Sequence, residues 1–132
     1  MDKNNIELIN NIGFWKSKIT ISPVEGGITN QNFLVNDGSG KYFVRIGDDI
    51  PEHLVFRSNE IQASNAASKI GVSPELLFHD KSIQVFNFID GKTLDSTDIK
   101  NNLEQITKLI KKVHSKMPDQ LVGQSVIFWV FY

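Results

Sequence analysis

Gly26-Gly27-Ile28-Thr29-Asn30-Gln31-Asn32-Phe33 couples a double-glycine turn to the start of an apolar strand. A second turn, Asn36-Asp37-Gly38-Ser39-Gly40, follows, and then comes Tyr42-Phe43-Val44-Arg45-Ile46. Two apolar runs about a Gly/Asn/Asp-rich turn predict a β-hairpin, with strands over Gln31–Asn36 and Lys41–Ile46. Fifteen residues after Arg45 stands Glu60, in a stretch that reads as a helix. The order is therefore hairpin, basic residue on a strand, acidic residue on a helix.

The flanking sequence extends this frame. Asp2 to Asn11 predicts a short helix, capped by Asp2 and apolar at Ile6, Leu8, Ile9 and Ile12. Gly13 ends it, and Phe14 and Trp15 are expected to pack under the sheet. Lys18 to Val24 alternates as a strand and ends at an edge or turn marked by Pro23. Gly47-Asp48-Asp49-Ile50-Pro51 breaks the sheet, and a helix is expected from Pro51, capped by Asp49, to about Lys69. Gly71 suits its left-handed C-terminal position.

Leu76–His79 and Ile83–Ile89 predict a second hairpin about Asp80-Lys81-Ser82. From Asp98 to Ser115, Ile99, Leu103, Ile106, Leu109, Ile110 and Val113 recur at intervals of three and four. That spacing predicts one amphipathic helix, capped by Ser96 or Thr97 and stopped at Met117-Pro118. The fold class is α+β: a mainly antiparallel sheet of five strands, with helices on one side of it. Residues 1–95 form one unit, and 96–132 a helix followed by an apolar tail.

Composition narrows the chemistry. The chain has 132 residues, 14 basic and 15 acidic, for a net charge of −1. No electrostatic argument for nucleic acid or an anionic membrane follows from that balance. With no cysteine there is no disulfide, thiolate metal site or thiol nucleophile, which fits a cytoplasmic setting. The N-terminus shows no signal peptide. The apolar run Val126–Tyr132 is too short for a membrane-spanning helix.

Three places carry candidate chemistry. In Glu25-Gly26-Gly27-Ile28-Thr29-Asn30, two glycines let backbone N–H groups approach a phosphate, and Asn30 adds a side-chain donor; the same residues also suit an ordinary hairpin turn. Arg45 lies within an apolar strand, where a basic group is costly unless it is paired or faces a ligand. Glu60 is its available partner, and an Arg45–Glu60 ion pair facing the glycine loop is expected; an edge arginine facing water is the alternative. In Val85-Phe86-Asn87-Phe88-Ile89-Asp90-Gly91, a strand running into a turn offers free backbone groups to a base; a strand that simply ends in a turn is the alternative. His53, His79 and His114 lack metal-ligand spacing.

In this order and spacing the three places, with Arg57-Ser58-Asn59-Glu60, Gly71-Val72-Ser73-Pro74 and Phe88-Ile89-Asp90-Gly91-Lys92-Thr93-Leu94, resemble the N-terminal lobe of choline/ethanolamine kinases, within the aminoglycoside-phosphotransferase-like superfamily. The resemblance covers roughly residues 10–115. It implies that Gly27, Thr29 and Asn30 cover the phosphates of ATP, that Arg45 and Glu60 hold them, and that Asn87, Phe88 and Ile89 form the hinge contacting adenine.

The family's catalytic loop, His-x-Asp-x-x-x-x-Asn, and its later metal-binding Asp are not in this sequence. No catalytic and no metal-binding residue is therefore assigned, although magnesium serves the full-length family. The expectation is a truncated choline kinase-like phosphotransferase, inactive alone, in which ATP binding is weak or lost. The alternative is a non-catalytic module that pairs with a polypeptide carrying the second lobe. The tail Met117–Tyr132 falls outside the resemblance, and its apolar end Val126–Tyr132 is expected to promote self-association.

Overall fold

A computed structural model describes residues 3–123. Helix α1, Lys3–Asn11, precedes strands β1 Thr20–Val24, β2 Gln31–Asn36 and β3 Lys41–Ile46. Helix α2, Arg57–Lys69, leads to β4 Leu76–Asp80 and β5 Ile83–Asn87, and then to α3 Ser96–Asn101 and α4 Leu103–Lys116. The five strands form one sheet in the order β1-β2-β3-β5-β4, and every pairing is antiparallel.

The expected helices on one side become helices on both. Phe33, Val44 and Val85 are cross-strand partners and share a face, where they form one buried cluster with Ile9 of α1. Phe14 and Trp15 seal that face beside Tyr42 and Phe78, and Trp15 Nε1 donates to the Ile9 carbonyl at 2.6 Å. Residues next in sequence point to the opposite face. There Gln84 of β5 bonds Glu60 of α2. A strand covered on both sides must be buried throughout, and Ile83, Gln84, Val85 and Phe86 all are.

The β2–β3 turn hangs on Asp37, which is 1% exposed. Its Oδ1 accepts from the Ser39 N–H at 2.9 Å, the Ser39 hydroxyl at 2.7 Å and the Gly40 N–H at 3.0 Å. These donors, the Ser39 hydroxyl first, hold the carboxyl below the ordinary carboxylate range. A depressed folded value means stability that is complete above the unfolded value, about 3.9, and is lost as pH falls through the folded one. In Asp37→Asn we expect a lower Tm at neutral pH and a shallower loss of Tm below about pH 4. Thermal melts of both proteins across that range check this; identical acid limbs would assign the acid loss to other carboxylates.

Two helices depart from expectation. The stretch after Pro51 makes only a single 3-10 turn, Pro51–His53, because Leu54 turns left-handed at φ 55° and Ile50 pairs with Val55 as a β-bridge. Asp49 does cap α2, but at Arg57, whose N–H donates to Asp49 Oδ1 at 2.6 Å. At the other end Gly71 is left-handed as expected, with Gly71 N–H to Ser68 C=O and Val72 N–H to Ala67 C=O closing a Schellman motif.

The helix expected from Asp98 to Ser115 is two. Asn102 leaves helical geometry at φ −124°, and its side chain donates to the Asp98 carbonyl at 2.8 Å. The cap is Asp95, in a capping box with Asp98, and neither Ser96 nor Thr97. The second predicted strand of the β4–β5 hairpin stops at Asn87, two residues before Ile89. The tail segment Val126–Tyr132 lies outside the described residues.

Candidate functional site: a glycine loop over a polar row

The glycine loop joins β1 to β2. Gly26 has φ +106°, and a Cβ on Gly27 would strike the Asn30 carbonyl, so glycine is required at both positions. Ile28 stands fully exposed at the tip. The loop borders two clefts, one of about 310 Å³ by Pro23, Asn32 and Phe33, the other of about 560 Å³ by Asn5, Ile46 and Gly47.

Below the loop, Asn32, Arg45, Gln84 and His79 are successive cross-strand partners on β2, β3, β5 and β4. Paired residues share a face, so these four make a polar row. One register step toward the hinge, Leu34, Phe43 and Phe86 make an apolar row on the same face. Buried polar atoms are normally bonded. Here Asn30 Oδ1, Asn32 Oδ1, Arg45 Nε and Gln84 Oε1 are buried without a partner. All four belong to the loop or to this row.

Arg45 and Glu60 do not form the expected ion pair. Glu60 Oε1 takes Arg57 Nη1 at 2.7 Å, and Glu60 Oε2 takes Gln84 Nε2 at 3.2 Å. Arg57 sits one turn earlier on the same helix, the i,i+3 distance at which such pairs meet, and so it pre-empts Arg45. The Arg45 guanidinium lies over the rings of Phe86 and Phe43, at 5.6 and 5.9 Å from their centroids. No Asp or Glu pairs with it among the described residues.

The segment expected to be the hinge is partly committed to the sheet. Asn87 N–H donates to the Glu75 carbonyl and Phe88 N–H to the Lys41 carbonyl, while Ile89 N–H has no backbone acceptor among the described residues. Among the described residues no three His, Asp or Glu converge as a metal-ligand set.

Two residues of this arrangement were not anticipated. Arg57 is 4% exposed, yet an arginine at the start of a helix reads as solvated. Its spacing of three from Glu60 was the available signal. Gln84, 2% exposed, was hidden in the apolar run Ile83–Phe86, where a polar side chain is itself the signal.

Similarity to known proteins agrees with this geometry. No curated protein matches the chain in sequence. Among solved structures, a Plasmodium vivax ethanolamine kinase is 26% identical with a TM-score of 0.61, over 74% of this chain and 27% of that one. A choline kinase from Cryptosporidium parvum, 22% identical, shares the fold with a TM-score of 0.63 over 87% of this chain and 36% of that one. The chain thus spans about a third or less of these relatives. The sequence pattern described as choline/ethanolamine kinase matches residues 21–128, starting later and reaching further than the 10–115 that the motifs suggested. With that match over most of its length, and with this sheet and loop, the chain belongs to the choline/ethanolamine kinase family.

Proposed function

We propose that this chain is the nucleotide-binding lobe of a kinase that phosphorylates choline, ethanolamine or a similar amino alcohol with ATP. The observation that carries the reading is Arg45: a half-buried cation with no carboxylate partner among the described residues and an unbonded Nε, one row below a glycine loop. Such a charge is stabilised by an anion that reaches it. The loop N–H groups and Arg45 hold the phosphates, the apolar row Leu34–Phe43–Phe86 takes the flat face of adenine, and Ile89 N–H meets its edge. Magnesium, when bound with the nucleotide, screens phosphate charge.

Phosphoryl transfer also requires a base and metal ligands, and the family's His-x-Asp-x-x-x-x-Asn loop, which would carry them, is not in this sequence. A second lobe supplies them, either in the same polypeptide or as a separate chain. The apolar residues of α4 favour such a partner: Leu103 is 58%, Leu109 48% and Ile110 49% exposed. A cytoplasmic setting, where ATP is at hand, fits the reading.

Calorimetric titration of the 132-residue polypeptide with ATP, with and without magnesium, tests it. Saturable binding without turnover of choline or ethanolamine is the expected outcome. No heat of binding at millimolar ATP would remove the nucleotide reading, and turnover would place a base and metal ligands within this lobe.

A further inference from the structure

Arg57 joins more separate elements than any other side chain described above. Its Nε donates to the Asp48 carbonyl in the β3–α2 link at 2.8 Å. Its Nη1 reaches Glu60 on α2, and its Nη2 reaches the Thr29 carbonyl in the glycine loop at 3.3 Å. Its N–H is fixed by Asp49. One guanidinium thus bonds the loop, the link and the helix together.

The space it occupies depends on Gly47. A Cβ there would lie 2.7 Å from Arg57 Nη2 and 2.5 Å from Asn30 Oδ1. Both are closer than real Cβ contacts allow, so a side chain at position 47 would push on the Arg57 guanidinium and on Asn30. The guanidinium and the Asn30 side chain thus converge over a glycine. Arginine suits the task because its planar fork serves several acceptors at once, which a lysine ammonium cannot do with the same geometry.

We propose that Arg57 is a positioning residue for the phosphate site: it straps the glycine loop to α2 through the Thr29 carbonyl and so sets the height of the loop over Arg45. By engaging Glu60 it also leaves the Arg45 charge free for an anion. The phosphate half of this inference rests on the nucleotide reading above; the strap itself does not.

The experiment separates the two. The chain has no cysteine, so Ile28→Cys and Lys69→Cys allow a pair of spin labels at the loop tip and the far end of α2. Their distance distribution is measured by pulsed EPR in the otherwise unaltered chain, and with Arg57→Lys, Arg57→Met or Gly47→Ala added. The strap predicts a narrow distribution in the first and a broadened or shifted one in all three variants. Gly47→Ala keeps the Arg57 side chain and serves if Arg57→Met does not fold.

In parallel, ATP and adenosine affinities are compared without labels. Loss of one charge-assisted bond to the loop should weaken ATP by about tenfold and leave adenosine unchanged. Equal weakening of both ligands, or unchanged distance distributions in folded variants, overturns the proposal. Broadened distributions in a parent that binds no ATP support the strap and remove the nucleotide reading instead.

Discussion

Arg45→Met is expected to weaken ATP binding by at least about tenfold, from the 1.5–3 kcal/mol of a hydrogen bond to a charged group, with little change in stability. The asymmetry follows from the surroundings. Among the described residues Arg45 has no carboxylate to lose and its Nε is already unbonded, so removing the charge breaks no ion pair there. Methionine keeps the stem that packs on Phe43 and Phe86, and the folding free energy should move by less than about 1 kcal/mol. Calorimetry and urea melts on the same sample read both quantities. Unchanged ATP affinity in a folded variant would move the phosphate site away from Arg45.

Glu60→Ala is expected to do the reverse first: it destabilises. The Arg57 side chain is 5% exposed, and Glu60 is its carboxylate partner. Removing one member of a buried pair leaves a stranded charge, at about 3 kcal/mol for a pair whose acid is partly open to water. That corresponds to a Tm lowered by roughly 10 °C in a chain of this size. Gln84 loses its partner as well, and the helix start loosens. If Glu60→Ala and Arg45→Met instead destabilised equally, the charge pairing would be Arg45–Glu60 as the sequence alone suggested.

That mistaken pairing shows where sequence legibility stops. The β2–β3 hairpin was readable to the residue, because alternation and a Gly/Asn/Asp turn are local signals. Gly71 was readable for the same reason: a left-handed C-terminal position has few other candidates. Arg57 is the local partner of Glu60 by its i,i+3 spacing. Whether a strand residue fifteen positions away reaches the same carboxylate is not local, because it depends on how α2 packs against Gln84. Likewise the apolar rhythm from Ile99 to Val113 continues through Asn102, so the break there is invisible to periodicity; it is made by one side chain bonding to the Asp98 carbonyl. The two-sided sheet was misjudged because five short strands do not say how many helices cover them.

Ile9 bears on how the chain is made. It is fully buried among Phe33, Val44, Ile83 and Val85, so the first helix completes a core whose last strand ends at Asn87. Translation at about 5–20 residues per second therefore leaves α1 without its final neighbours for roughly 4–16 s after Ile9 is added. During that interval its apolar face is open on the nascent chain. That face is the one a chaperone would cover on the nascent chain, and rare codons placed between Ile9 and Asn87 would lengthen the wait, while those after Asn87 would not.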